Sequence, residues 1–354
     1  MIRLNEAQSL FLDVLRIFAV QLVVIGHALP YFNIGRANYI QNSAVVLFFV
    51  LSGIVISYSL LWKMENGYRF RDFFLNRFSR IYTALIPSLL FIVVIDNLQL
   101  NFLGSSAYSY ESALDIKTFL GNLLMLQDFP ILNLGITSFG SGRPLWTLAI
   151  EWWLYMSFGM LLIHFGKQFR LKYLFVFCLV MIVPLHNAYA GRGEALTLFW
   201  LEGVVITTLL FKKQVQVDKA TSALFVFITL ALIGLRLGQT KEAYDLVYVT
   251  LISLFIMSSL QLASHFELKF KSLKKYTHFI AGYSFTLFLV HYSIFDFIAE
   301  LNKGQPSIKV FLCSILISHI ISAFIAYFTE MRYKQFNVYL KGKIDYFGIQ
   351  YVKK

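Results

Sequence analysis

Ten apolar runs, separated by short segments rich in Lys and Arg, constrain the fold more than any other feature of this chain. A helix rises about 1.5 Å per residue and a bilayer core is about 30 Å thick, so about 20 mostly apolar residues make one crossing. The runs fall at 10–29, 43–62, 81–100, 145–164, 173–186, 195–211, 220–237, 245–264, 279–299 and 307–328. The expected fold is therefore all-α, a polytopic membrane bundle of about ten transmembrane helices. Spans and short connections use up the 354 residues, so residues 1–354 read as a single integral membrane domain. Composition agrees: 58% of residues are hydrophobic and 14% charged, where soluble domains carry roughly 45–50% and about 25%. A soluble enzyme, a disordered chain and a fibrous repeat are excluded. The apolar stretch Thr118–Leu126 is too short to cross and reads as a helix lying in the interface or re-entering. Asp13 and Arg16 interrupt the first run and no small-residue cleavage site follows, so it does not read as a removable signal. No internal repeat supports an inverted-repeat transporter.

The formal net charge is +12. Nucleic-acid binding is not the reading, because the basic residues sit between apolar runs, where they suit an anionic leaflet. With the N-terminus in the cytoplasm, 22 of the 31 Lys and Arg residues fall on inside segments and 8 outside, with Arg16 within a span. That bias predicts both termini on the cytoplasmic side. The longest outside segment, 101–144, contains Gly104-Ser105-Ser106 and the run Ser138–Pro144, whose turn chemistry predicts loops. Cys178 and Cys313 lie in separate apolar runs, so neither a disulfide framework nor a thiolate metal site is expected.

Ionisable residues inside spans are the candidates for chemistry, since each costs at least about 2.5–3.5 kcal/mol to insert. Arg16 and His27 are eleven residues apart, about 1100° of helix, so they share a face about 16 Å apart along the axis. Asp13 stands at i−3 from Arg16 and can pair with it. Glu151 lies about two turns into the fourth span, with Thr147 at i−4 and Tyr155 at i+4 on its face. A carboxylate at that depth can orient His27 and stabilise its protonated form; the alternative is a Glu151 that bonds only to its neighbours. Ser52-Gly53 permits close helix packing. His291 and Asp296 stand about 140° apart around a helix, so they cannot act together; His291 alone lines the site or merely hydrogen-bonds. Asp96 and Glu202 have no evident partner in the sequence. Arg77 and Arg80 lie in a turn before the third span, where they form either a fork for phosphate or an anchor to anionic lipid.

Five of these segments, in order, resemble the acyltransferase-3 family of integral membrane acyltransferases. Leu12-Asp13-Val14-Leu15-Arg16 with His27 matches the family's Arg and His separated by ten residues. Phe48-Phe49-Val50-Leu51-Ser52-Gly53 matches its FFxxSG string, and Arg77-Phe78-Ser79-Arg80-Ile81-Tyr82 its RxxRIY turn. Pro144-Leu145-Trp146-Thr147 through Glu151 matches its LWSxxxE motif, with Thr147 in place of Ser. Tyr283 to His291 matches its late SxxLYLxH string, with Phe288 in place of Tyr.

The resemblance implies transfer of an acyl group, most often acetyl from acetyl-CoA, to a hydroxyl of a cell-envelope or exported saccharide such as O-antigen or exopolysaccharide, free or lipid-linked. The setting it implies is the bacterial cytoplasmic (inner) membrane, with acyl-CoA as donor, no metal and no nucleic-acid partner. The chain ends about 26 residues after its last span, the form expected without a fused extracytoplasmic SGNH domain. His27, Glu151 and Arg16 are then the expected catalytic residues, and Arg77 and Arg80 the expected binders of CoA phosphates. Asp13, Ser52, Trp146, Thr147, Tyr155 and His291 would line the substrate channel. Direct transfer and an acyl-histidine intermediate both fit. A saccharide flippase or exporter, and a structural partner of a polysaccharide synthase, are the competing readings.

Overall fold

A computed structural model describes residues 1–36, 40–104, 108–130, 134–165, 171–239, 244–267 and 271–352, without the side chains of 271–273 and 345–352. Ser105 and Ser106 of the expected loop lie outside the described residues, as do Lys167, Arg170, Lys241, Lys269, Lys353 and Lys354 from the charge count. The described residues are helical and connecting, with no strand.

The helices are α1 (Glu6–Tyr31), α2 (Ile40–Met64), α3 (Phe70–Leu103), α4 (Ile116–Leu123), α5 (Leu145–Met160), α6 (Leu174–Asn187), α7 (Leu196–Thr207), α8 (Lys219–Gln239), α9 (Leu246–Ser264), α10 (Lys271–Leu301), α11 (Ile308–Phe328) and α12 (Tyr333–Val352). Eight helices among the described residues are long and apolar enough to cross a membrane. The expected all-α polytopic bundle is what the chain forms, with the run at 173–186 short, as its fourteen residues predict, and α7 short as well. The fourteen residues of α6 reach only about 21 Å. α7 has twelve residues and continues through one π-helical turn, Thr208–Lys212.

Three other expectations change. The turn placed before the third span is helix: α3 begins at Phe70. Gly67 is the last breaker before Pro87, and aromatic rings one turn apart stack through the segment, Phe78 on Tyr82 at 4.2 Å. Arg77 and Arg80 are therefore held on a helix. α10 likewise begins before its apolar run. The basic tail is α12, which packs along α3 through Asn337 on Ser79 at 3.2 Å and Lys341 on Asp72 at 3.0 Å.

Local chemistry starts the elements. Asn5 caps α1 in a reciprocal box with Gln8, at 2.8 and 3.0 Å. Asp115 caps α4 by accepting from the Thr118 backbone N–H. α1 packs on α10 and α2, and α2 packs on α7. Gly53 of α2 lies directly on the Trp200 carbonyl of α7, and Gly203 lies on the Val50 carbonyl, so a Cβ at either position meets backbone. α8 keeps Leu224, Phe225 and Phe227 exposed, as a lipid-facing helix does. Asp96, unassigned by sequence, is fully buried at the far end of α3 and accepts from Tyr108, the Ser141 hydroxyl and the Ser141 N–H. It ties the run Ser138–Pro144 to the bundle, and that run leads directly into α5.

Candidate active site

Two cavities lie between α1, α2, α5 and α10. The first, of about 170 Å³, is basic. Arg16, Arg77 and Arg80 line it with Ser52, Thr147, Glu151, Tyr155 and Phe288. The second, of about 440 Å³, holds His27 with Tyr31, Gln41, Arg143, Trp146, Arg192, Tyr244 and Tyr292. Val45, Thr147 and Phe288 line both, so the two spaces share a wall.

Each guanidinium of the basic cavity is held differently. Arg16 donates to Asp13 at 3.2 Å, the i,i+3 pair that helix geometry predicts. Asp13 lines neither cavity and acts through Arg16. Arg80 is not a free fork: its Nη2 lies 3.0 Å from Glu330 Oε1, and Tyr333 covers it at 4.9 Å. Glu330 is fully buried beyond α11 and accepts from the Thr286 N–H and hydroxyl on α10. Arg77 packs over the Phe73 and Tyr155 rings, and its buried Nε has no hydrogen-bond partner. Glu151 accepts a short hydrogen bond from Tyr155. The Tyr155 and Ser52 hydroxyls are 2.7 Å apart, and Trp200 Nε1 donates to Ser52 Oγ at 3.1 Å.

His27 of the second cavity is backed by His291, which is completely buried and, contrary to the expected lining role, lines neither cavity. His291 Nδ1 is 2.9 Å from the Leu287 carbonyl, which can only accept, so that nitrogen carries the proton. His291 Nε2 is then an acceptor in the neutral ring. It lies 2.9 Å from His27 Nδ1, which must donate to it. His27 is left with an unprotonated Nε2, the arrangement of a positioned base. The rings stack with centroids 5.2 Å apart, and Tyr292 closes edge-on against His27.

The expected pair of His27 with Glu151 does not form. His27 is bonded to His291, and Glu151 faces the arginines of the other cavity. His291 is thus part of the site, while Asp296 accepts separately from Tyr31 and Gln99, as the helical angle between them requires. Trp146 and Thr147 both line the His27 cavity, whereas Ser52 and Tyr155 line the basic one. Glu202 accepts from Thr250 at 3.1 Å, away from both cavities. Sequence reasoning missed Glu330, Arg143, Arg192 and the link between the histidines. The only signal for Glu330 was an acid beside the last apolar run, and nothing in the sequence told which cation it meets.

Outside the spans, burial pushes the Asp128 carboxyl up, against Arg192 at 3.9 Å and Arg143. Burial, and after it the neighbouring Arg143, lowers the Arg192 pKa, with Asp128 acting in the opposite direction. Among the described residues no group of His, Cys, Asp and Glu gathers as metal ligands.

Two cavities thus share a wall, one lined by three arginines and the other by His27 with its unprotonated Nε2. The chain belongs to the acyltransferase-3 family: the family's acyltransferase domain matches residues 9–327, nearly the whole chain. It is a multi-pass membrane protein of the acyltransferase class. An uncharacterized protein of Haemophilus influenzae is 27% identical over 146 residues, 38% of this chain. The match spans 55% of that relative's own length. No solved structure matches the chain.

Proposed function

We propose that this protein is a membrane O-acyltransferase of the bacterial cytoplasmic membrane. It moves an acyl group, most often acetyl in proteins of this kind, from cytoplasmic acyl-CoA to a hydroxyl of a cell-envelope or exported saccharide. The observation that carries the reading is the shared wall of Val45, Thr147 and Phe288 between an arginine-lined cavity and the cavity of His27. With the termini cytoplasmic, as the basic-residue bias favours, the arginines face the donor and His27 faces the acceptor.

In this reading the phosphates of CoA meet the guanidinium end of the basic cavity, and the thioester reaches the wall. His27 Nε2 takes the proton of the acceptor hydroxyl as its oxygen attacks the thioester carbonyl. The new ester C–O bond forms, the C–S bond breaks, and the CoA thiolate leaves and is reprotonated. His27 keeps its Nδ1–H on His291 throughout, so His291 steadies the imidazolium. Arg16, about 16 Å along α1 from His27 and turned toward Asp13, adds positive charge on the donor side and does not reach the reacting carbonyl. Glu151 is a positioning residue: it holds Tyr155 and offsets charge among the three arginines of the donor side.

The test is acyl-CoA-dependent transfer and CoA release by the purified protein, which a flippase or exporter would not show. His27→Ala should abolish both while membrane insertion stays intact. Arg77→Ala should weaken acyl-CoA binding about 10- to 150-fold, the loss of a charge-assisted hydrogen bond of roughly 1.5–3 kcal/mol. Lys at 77 should restore only part of it, since it lacks the fork. Arg80→Ala should in addition lower stability by about 3–5 kcal/mol, because it leaves Glu330 buried without its ion pair. Activity retained in His27→Ala would remove this histidine from the reaction. Unchanged acyl-CoA binding in Arg77→Ala would move the donor site elsewhere.

A further inference from the structure

From the lining of the His27 cavity we infer that the saccharide acceptor is anionic: it carries a carboxylate or a phosphate close to the hydroxyl that is acylated. The inference rests on the reading of this cavity as the acceptor's side, and it names the class of acceptor that the cavity selects.

Two guanidiniums, Arg143 and Arg192, line this space, and among the described residues no carboxylate does. The carboxylate beside them is Asp128, which lines the wall's far side at 3.9 Å from Arg192, too far for a tight ion pair. Both arginines belong to the end of the bundle where basic residues are otherwise sparse. Arginine there works against the orientation bias that the rest of the chain obeys, so two converging on one cavity call for a reason. Their surroundings fit a sugar. Arg192 stacks on Trp146 at 4.6 Å, and Tyr31, Tyr244 and Tyr292 present further aromatic surface. Trp and Tyr rings offer the apolar faces and polar edges that a pyranose matches. Gln41 also lines the space, with its Oε1 buried against Gly26. Arginine forks pair with carboxylate and phosphate alike. A uronic acid in the acceptor and the diphosphate of a lipid-linked saccharide are thus two sources of the same chemistry. Asp96 supports the arrangement from behind: its three hydrogen bonds fix Tyr108 and Ser141, and Ser141 stands two residues before Arg143.

The experiment is equilibrium binding to the full-length protein in nanodiscs of uncharged lipid. The probes are two matched pairs: glucuronyl-glucose against cellobiose, and a short polyprenyl-diphosphate glucose against the same prenyl glucoside without phosphate. At least one anionic probe should bind about tenfold or more tightly than its neutral partner, with the preference falling as salt rises. Arg143→Gln and Arg192→Gln should each cut that preference by about tenfold, the cost of one charge-assisted contact. Arg→Lys should restore part of it. Which pair shows the preference identifies the source of the anion. Acyl-CoA binding by the same variants reports that they are folded, and the wild-type comparison needs no variant at all. If neither anionic probe outbinds its neutral partner, or if the preference survives both Gln variants, the inference is wrong, while acyl transfer to a neutral sugar would still uphold the acyltransferase reading. If the anions bind through the arginines but no acyl-CoA is ever consumed, the acyltransferase reading fails instead and the anionic site stands.

Discussion

At the residue scale, the proposal divides donor and acceptor functions between two sets of polar groups, and substitutions should separate them. His291 is completely buried and its Nε2 touches only His27 among polar side chains of the described residues. His291→Phe keeps a ring against Tyr292 and Phe295 but removes the acceptor that fixes the His27 tautomer. It should lower kcat by about 10²-fold or more, the low end of what a positioned base contributes, and leave the KM for acyl-CoA unchanged. Glu151→Gln should act on the donor side instead, lowering the acyl-CoA KM more than it changes kcat, because loss of the carboxylate leaves the three arginines more positive toward the CoA phosphates. Steady-state kinetics on both variants decide the matter. A fall in kcat alone for Glu151→Gln would restore the direct His27–Glu151 partnership that spacing suggests.

At the scale of elements, the contact between α2 and α7 sets where Ser52 stands, and Ser52 is the meeting point of Tyr155 and Trp200. The approach depends on glycine at both crossing points, since the opposing atoms are backbone and cannot turn aside. Gly53→Ala should therefore cost about 1–3 kcal/mol through overpacking. Gly234 on α8 provides the contrast: nothing lies within 4 Å of a Cβ built there. Gly234→Ala should be neutral or stabilise by up to about 1 kcal/mol through helix propensity. Thermal unfolding in detergent reads both. Equal effects would show that the α2–α7 crossing has no special requirement. The same element logic accounts for α3. Its first three turns lie beyond the apolar run and carry the two arginines, so their spacing is fixed by a helix that aromatic stacking and α12 stabilise.

At the scale of the whole molecule, the two cavities have meaning only if they open toward opposite sides of the membrane. Asn66 and Glu111 are both exposed, Asn66 between α2 and α3 and Glu111 before α4. A single cysteine at 66 should be labelled from the cytoplasm and one at 111 from the other side, in a background lacking Cys178 and Cys313. The reverse pattern would exchange the donor and acceptor cavities and overturn the proposed direction of transfer. Both outcomes are read with an impermeant maleimide on intact cells and on inverted vesicles.

What the sequence by itself determined is what helix geometry determines locally. Run length and apolarity define the spans, because crossing a bilayer needs only a sufficient stretch of one segment. The Asp13–Arg16 and Glu151–Tyr155 pairs follow from offsets of three and four residues, and Arg16 and His27 duly line cavities on one face of α1. The family was also legible, through motifs kept in order along the chain. Only the tertiary structure decided how these faces meet. His27 and His291 stand 264 residues apart, and Arg80 and Glu330 join the ends of α3 and α11. Periodicity gives the direction of a side chain around its own axis but not the depth of one helix against the next. An axial slide of two or three residues, about 3–5 Å, exchanges one partner for another. That is why Glu151, read at the depth of His27, lies instead with the arginines, and why His291, read as either lining the site or only hydrogen-bonding, is the group bonded to His27. The fourteen residues of α6 follow the length of its own run, whereas the regular α-helix of α7 stops at Thr207, short of its apolar run, and a π-helical turn follows.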